Sequence, residues 1–190
     1  MTKFKNKYRV ESARLKGWDY STPWLYFITI NTKDHICWFG DIVDGKMILN
    51  DIGKIVNEEW VKTAEIRTNI KIDSHIIMPS HLHGIIKIKG PEIEPHRIEV
   101  ETHRVRLTNE ANANPPAMDE GTERIVKNDM GNIIKGFKSA AKRRINELGK
   151  SYFLWQPRYY DRIIRNEREL FFTRKYIEDN PRKWELKHRR

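Results

Sequence analysis

The stretch that decides the fold is Met78-Pro79-Ser80-His81-Leu82-His83-Gly84-Ile85-Ile86. Its second half runs on into Lys87 and Ile88, is rich in β-branched residues, and is predicted as a strand. Side chains alternate along a strand, so His81 and His83 share one face with Ile85, Lys87 and Lys89. Leu82, Gly84, Ile86 and Ile88 point to the other face, which is the expected core side. Two imidazoles on one face, one residue apart, can hold a divalent ion if a third ligand comes from elsewhere. Two histidines on a polar strand face are also ordinary surface residues, so the pair needs support from the rest of the chain.

Working outward, Ile70-Lys71-Ile72-Asp73-Ser74-His75-Ile76-Ile77-Met78 alternates as a second strand, with Ile70, Ile72, Ile76 and Met78 on its apolar side. Pro79-Ser80 makes the tight turn between the two, so they are expected to pair as a hairpin. His75 falls with Lys71 and Asp73 on the opposite face, without a ligand pattern around it. Upstream, Trp24–Ile30 is dense in aromatic and β-branched residues and is predicted as a central strand. Ile36–Phe39 and Lys46–Leu49 are predicted strands with turn signals at Gly40-Asp41 and Asp44-Gly45. Asn50 or Asp51 caps a helix running to about Arg67, with Ile52, Ile55, Val56, Trp60, Val61 and Ala64 as its buried stripe.

Downstream, residues 90–125 carry Pro91, Pro95, Pro115 and Pro116 among many acidic residues, and are expected to form a long loop or flexible insert within a single domain spanning 1–190. A second helix is predicted from about Asn128 to Leu148, closed by Gly149. Its apolar face is Met130, Ile133, Ile134, Phe137, Ala141, Ile145 and Leu148; Lys135, Lys138, Lys142, Arg143 and Arg144 make much of the rest. Tyr152–Trp155 and Tyr159–Ile164 read as the last strand or strands, broken at Pro157. About half of the aromatics there are expected in the core. The third helix is predicted over Glu167–Asp179, stopped by Pro181 and followed by a basic tail over 182–190.

The chain has 190 residues and a formal net charge of +10, an excess that points to a polyanion, nucleic acid before membrane. Its one cysteine, Cys37, rules out an internal disulfide and any cysteine-based zinc finger. The N-terminus lacks a signal-peptide core and no apolar run approaches a membrane span, so a cytoplasmic, nucleoid-associated protein is expected. Lys138, Lys142, Arg143, Arg158, Arg162 and Arg165, several of them interleaved with aromatics, are candidate contacts to single-stranded nucleic acid. Solvated charge and packed aromatics explain the same residues equally well.

Tyr176-Ile177-Glu178-Asp179-Asn180-Pro181 is the second informative stretch. Residues four apart share a helix face, so Tyr176 and Asn180 project together if the last turn persists. Asn180 offers an amide oxygen as a third ligand for Mg²⁺ or Mn²⁺. Tyr176 offers a phenol able to form a covalent phosphodiester. Read alone, the pair also fits a helix end before a proline and a packing aromatic.

The histidine stretch followed by Tyr176–Pro181 resembles the HUH single-tyrosine transposases, and most closely their REP-associated tyrosine transposase branch. The stretches Tyr8–Tyr20, Phe137–Ile145 and Trp155–Asn166 extend the resemblance over nearly the whole chain outside the insert. The resemblance implies an α+β fold, a ferredoxin-like antiparallel sheet with packed helices. It implies a divalent metal, Mg²⁺ or Mn²⁺, on His81, His83 and Asn180, with Tyr176 as nucleophile. Some relatives carry glutamine where this chain has the shorter Asn180. The implied activity is cleavage and rejoining of single-stranded or hairpin DNA through a 5′-phosphotyrosine, by a monomer or a helix-swapped homodimer. A free phenol ionises near 10, so the metal or its water must help remove the proton. Two further readings stand beside this one: a DNA or RNA hairpin-binding module without chemistry, and a metal-dependent hydrolase that leaves Tyr176 without a role.

Overall fold

The computed structural model describes residues 3–4, 7–8, 18–90 and 129–188; the predicted insert lies outside them almost entirely. The described elements are β1 (Lys3–Phe4), β2 (Lys7–Tyr8), β3 (Leu25–Asn31), β4 (Gly40–Val43), β5 (Lys46–Leu49), α1 (Asp51–Glu65), β6 (Ile70–Met78), β7 (His81–Ile88), α2 (Met130–Glu147), β8 (Tyr160–Ile163) and α3 (Glu167–His188). β1 pairs with β2, and β4 with β5, as small antiparallel ladders. β6, β7, β3 and β8 form the main sheet in that order, with every pairing antiparallel. The succession β3-α1-β6-β7-α2-β8 with this strand order is the ferredoxin-like βαββαβ arrangement, an α+β fold.

Helices α1 and α2 cover one face of the sheet. Tyr26, Ile28 and Ile30 of β3, Leu82, Ile86 and Ile88 of β7, and Trp60 and Phe137 from the helices close that core. The Trp60 ring meets Phe137 edge-on at 5.1 Å. Gly84 is required beneath it, since a Cβ there would stand 2.5 Å from Trp60 Cζ2. Local signals set the helix starts: Asn50 accepts from Gly53 N at 3.0 Å, and Asp129 accepts from Asn132 N at 2.8 Å. Arg144, from the charged face of the second helix, ties the two helices together through Glu58 at 2.7 Å and buried Glu59 at 2.9 Å.

For the strands and the third helix the sequence reading is corrected at five places; on the first two helices, Val61 and Leu148 are exposed and not part of the apolar faces. The histidine face of the sheet is not polar and open: α3 packs on it around a second core of Ile85, Ile164, Leu170 and Ile177. Within β6 the register shifts between Ile72 and Ser74, so Ile70 and Ile72 face α1 and α2 while Ile76 and Met78 stand opposite His83 and His81. The bulge therefore also puts His75 on the α1 side, where its Nε2 meets Asn57 Oδ1 at 2.9 Å. Ile36–Phe39 is not a strand, because a 3₁₀ turn at Lys33–His35 with Asp34 and His35 at positive φ breaks the extended run. Residues 152–155 contribute an isolated bridge, Thr32 with Trp155, in place of a strand. Of their neighbourhood, Phe153 is buried, Trp155 and Tyr159 pack on the core, and Tyr152 is exposed.

The fifth correction matters most. Pro181 does not stop the third helix, which continues to His188 with the proline inside it. An interior proline loses one hydrogen bond and disfavours the helix by about 3 kcal/mol. Packing offsets that: Pro181 and Asn180 are buried, and α3 lies against the β4–β5 hairpin and β6.

Candidate active site

The side chains of β7 and α3 meet over the second face of the sheet. Tyr176 Oη lies 3.4 Å from His83 Nε2, and the two rings are 5.2 Å apart. His81 and His83 follow each other along the strand face with their rings 4.6 Å apart. Trp184, two helical turns after Tyr176, brings its ring to 5.6 Å from His81. Asn180 lies midway along the same helix stripe, one turn from each aromatic, and is buried. Phe27 stacks on His83 at 5.3 Å and takes the edge of Tyr176 at 6.0 Å. Lys183 Nζ sits 5.7 Å from the centre of the Tyr176 ring.

Thr29 fixes the orientation of His83. The β3–β7 register places the two directly opposite, and Thr29 Oγ1 meets His83 Nδ1 at 2.8 Å. With Nδ1 so engaged, Nε2 is the nitrogen that faces Tyr176. Ser80 Oγ stands 3.4 Å from His81 Nδ1 in the same sense. Burial pushes His83 down to about 3, with His81 adding to the effect. Burial pushes His81 down to about 4, with His35 adding to it. Both rings are therefore neutral near pH 7, the form in which imidazole binds a metal.

Among the described residues no three His, Cys, Asp or Glu side chains gather into a metal-holding group. A third protein ligand beside the two imidazoles would have to be of another kind, and the amide of Asn180 is the candidate from the sequence. Two neutral imidazoles, one with its second nitrogen held by a hydroxyl, and a buried amide one turn from the phenol form a donor set that fits a divalent ion.

The basic residues divide. Lys138 Nζ donates to the main-chain carbonyls of Gln156, at 2.8 Å, and Arg158, and burial pulls it down to about 8. Lys142 Nζ donates to the carbonyls of Ser151 at 2.6 Å and Phe153. Both lysines thus hold the segment before β8 onto α2 and are not free phosphate contacts. Arg143, Arg158 and Arg165 are exposed. Arg162 lies nearest the site: its guanidinium covers Phe27 at 5.8 Å and donates to Thr173 Oγ1 at 3.2 Å. A bidentate ion pair fastens α3 over the sheet, with Arg174 Nε and Nη2 donating to Asp73 at 2.8 and 2.5 Å. Arg174 holds the Asp73 carboxyl below its ordinary range.

No family model matches the chain. A Haemophilus influenzae protein, itself uncharacterized, is 33% identical over 174 residues, which span 92% of this chain and 89% of that protein. The chain belongs to the family of that protein. A solved structure of a REP-associated tyrosine transposase bound to a REP hairpin matches 92% of this chain and 74% of its own, with a TM-score of 0.52 and 16% identity. At that identity the likeness establishes a shared fold: the chain has the architecture of a REP-associated tyrosine transposase.

Sequence reasoning did not find Thr29, Trp184 or Arg174. Thr29 becomes visible only through the cross-strand register with His83. Trp184 falls beyond the expected helix end, although its spacing of four from Asn180 carries the signal once the helix is allowed to continue. None of the described helices is long and apolar enough to cross a membrane.

Proposed function

We infer that this protein is a metal-dependent single-strand DNA endonuclease and transposase acting on hairpin-containing DNA. The observation that carries the reading is the approach of Tyr176 Oη to His83 Nε2, 3.4 Å apart across 93 residues of sequence. Asn180 lies one turn further along the same helix face and is buried, and the fold is shared with a transposase solved on a REP hairpin. A net charge of +10 with exposed Arg143, Arg158, Arg162 and Arg165 supports a DNA partner.

His81, His83 and Asn180 would hold the divalent ion, Mg²⁺ or Mn²⁺. When bound, such an ion supplies Lewis-acid polarisation of the scissile phosphate. Tyr176 Oη attacks the phosphorus, its bond to the 5′ phosphate forms, and the bond to the 3′ oxygen breaks, releasing a 3′-hydroxyl. Attack by another 3′-hydroxyl on the phosphotyrosine reverses the step and joins strands. An imidazole held near 3 is a poor base for a phenol, so His83 serves as a neutral ligand and the phenolic proton leaves to water. Thr29 and Phe27 hold the His83 ring, and Phe27 and Lys183 flank the Tyr176 ring. The Arg174–Asp73 pair keeps α3, and with it Tyr176, over its own histidines.

The test is a denaturing gel of wild type, Tyr176→Phe and His81→Ala with labelled hairpin DNA carrying single-stranded flanks. A protein–DNA adduct formed with Mg²⁺ or Mn²⁺, absent with EDTA and in both variants, is the expected result. An adduct that survives Tyr176→Phe overturns the assignment of the nucleophile. Tight binding without any adduct, across the host's own palindromes, makes the protein a hairpin-binding module.

A further inference from the structure

Beside the Tyr176–His83 pair a cleft of about 740 Å³ opens between β8, β3 and the first half of α3. That volume lies within the usual range of small-molecule sites, roughly 300–1,000 Å³. Its construction follows from the register. Tyr160 stands opposite Thr29, and Arg162 opposite Phe27, so all four project from the α3 face of the sheet. Thr29 is in turn opposite His83. Tyr160, Thr29 and His83 therefore form one row across three strands, and neighbouring strands lie about 4.8 Å apart. The outer end of that row is thus about 10 Å from the histidine that meets the nucleophile.

Helix α3 crosses the sheet and leaves this edge open. Its wall presents Phe172, Thr173 and Tyr176, with Arg168 at the rim. The aromatics do not behave as core: Tyr160 is 54% exposed and Phe172 55% exposed. Cations accompany them, Arg168 5.8 Å from the Phe172 ring and Arg162 5.8 Å from the Phe27 ring. Exposed aromatic faces with adjacent guanidinium groups make stacking platforms for unpaired bases, with the cations taking the phosphates. A duplex keeps its base faces stacked on each other, so an aromatic wall in a cleft favours a base that is already single-stranded.

We propose that this cleft is a nucleobase pocket, in which one unpaired base flanking the scissile phosphate stacks on Phe172 beside Tyr160 while Arg168 contacts its backbone. The proposal rests on the single-strand DNA reading above, and it assigns to the protein itself the seat of the base next to the cut. It needs no chemistry at Tyr176, so it can be tested apart from cleavage.

The experiment uses the full-length Tyr176→Phe protein, fluorescence anisotropy, a labelled thymidine dodecamer and an abasic dodecamer of equal length. Phe172→Ala is expected to weaken thymidine binding by about 5- to 100-fold, the usual effect of removing one stacking partner. Affinity for the abasic strand is expected to stay unchanged, because only the base is lost from the pocket. Phe172→Tyr should retain thymidine binding. Tyr152→Ala is the control: Tyr152 is equally exposed, at 60%, but does not line the cleft. Equal losses in Tyr152→Ala and Phe172→Ala would overturn the proposal, as would equal affinity of the parent protein for the two strands. Equal affinity would mean that a peptide segment or another ligand takes the cleft. A missing adduct in the cleavage assay with an intact Phe172 effect refutes the enzyme and keeps the pocket. An adduct without a Phe172 effect does the reverse.

Discussion

Gly84→Ala tests the packing that holds the histidine strand in place. Gly84 lies between His83 and Ile85 on β7, opposite Ile28 and His75 on the two neighbouring strands. An added Cβ would meet Trp60 Cζ2 at 2.5 Å and Cε2 at 3.0 Å, so a gap near 3.5 Å requires a movement of about 1 Å. Trp60 cannot retreat easily, being fully buried with Phe137 against it at 5.1 Å. Overpacking of this kind costs about 1–3 kcal/mol, and the rigid ring puts this site at the upper end. At 2–4 °C per kcal/mol for a chain of this length, the melting temperature should fall by roughly 6–12 °C. The assay is thermal unfolding of Gly84→Ala, Trp60→Phe and the double variant. The smaller ring of Trp60→Phe should accommodate the methyl, so the cycle should show a favourable coupling of about 1–3 kcal/mol. A melting temperature within a degree or two of wild type, or costs that simply add, would refute the steric account. Where the strand rather than the ring gives way, a shift of about 1 Å at the adjacent His83 is expected to lower the proposed strand cleavage by about 100-fold.

Three further outcomes follow from the site and its helix. Thr29→Val keeps the shape but leaves His83 Nδ1 without the hydroxyl now at 2.8 Å; Mn²⁺ affinity by calorimetry should drop about 10- to 100-fold, and unchanged affinity would remove Thr29 from the site. His81 and His83 ionise near 6.5 when unfolded and near 4 and 3 when folded, so between those values the unfolded chain binds more protons. Stability in EDTA should therefore be full above pH 6.5 and fall by roughly 3 kcal/mol per histidine as the pH drops toward 4; urea midpoints that stay flat in wild type, or fall equally in a His81→Leu/His83→Leu variant, would contradict this. Pro181→Ala restores a donor to the Ile177 carbonyl within α3, and the melting temperature should rise by several degrees; a fall would show that packing of the buried pyrrolidine ring outweighs the recovered helix propensity.

The sheet was legible because its signals are local. β-branched runs, the Pro79-Ser80 turn and the Asp44-Gly45 turn each specify a strand or a hairpin within a few residues. The cap at Asn50 placed α1 equally well. What the sequence concealed depends on contacts between distant segments. Asp73 reads as one more residue in an alternating strand, and only the Arg174 pair and the shifted register make it a bulge. Lys138 and Lys142 look like phosphate contacts on a helical wheel, and carbonyls from residues 151–158 claim them instead. Proline at 181 is a strong local stop signal, overruled by tertiary packing. A shared site for Tyr176 and the histidines was expected from family resemblance alone; the residue chemistry by itself favoured a packing aromatic, and whether Tyr176 meets the histidines of its own chain was open.

That overruling explains why the site is composed as it is. From Tyr176 to Trp184 the helix rises about 12 Å, whereas His83 and His81 are separated by about 6.7 Å along their strand. Yet Tyr176 touches the first histidine and Trp184 the second. The two large rings therefore lean inward from either end of the histidine pair. Asn180 lies between them on the same helix face and is buried. If α3 ended at Asp179, Trp184 would not cover His81, whose neutrality depends on burial. The helix beyond Pro181 is thus part of the site's electrostatics: by covering His81 it favours the neutral ring, the form that the proposed metal binding requires.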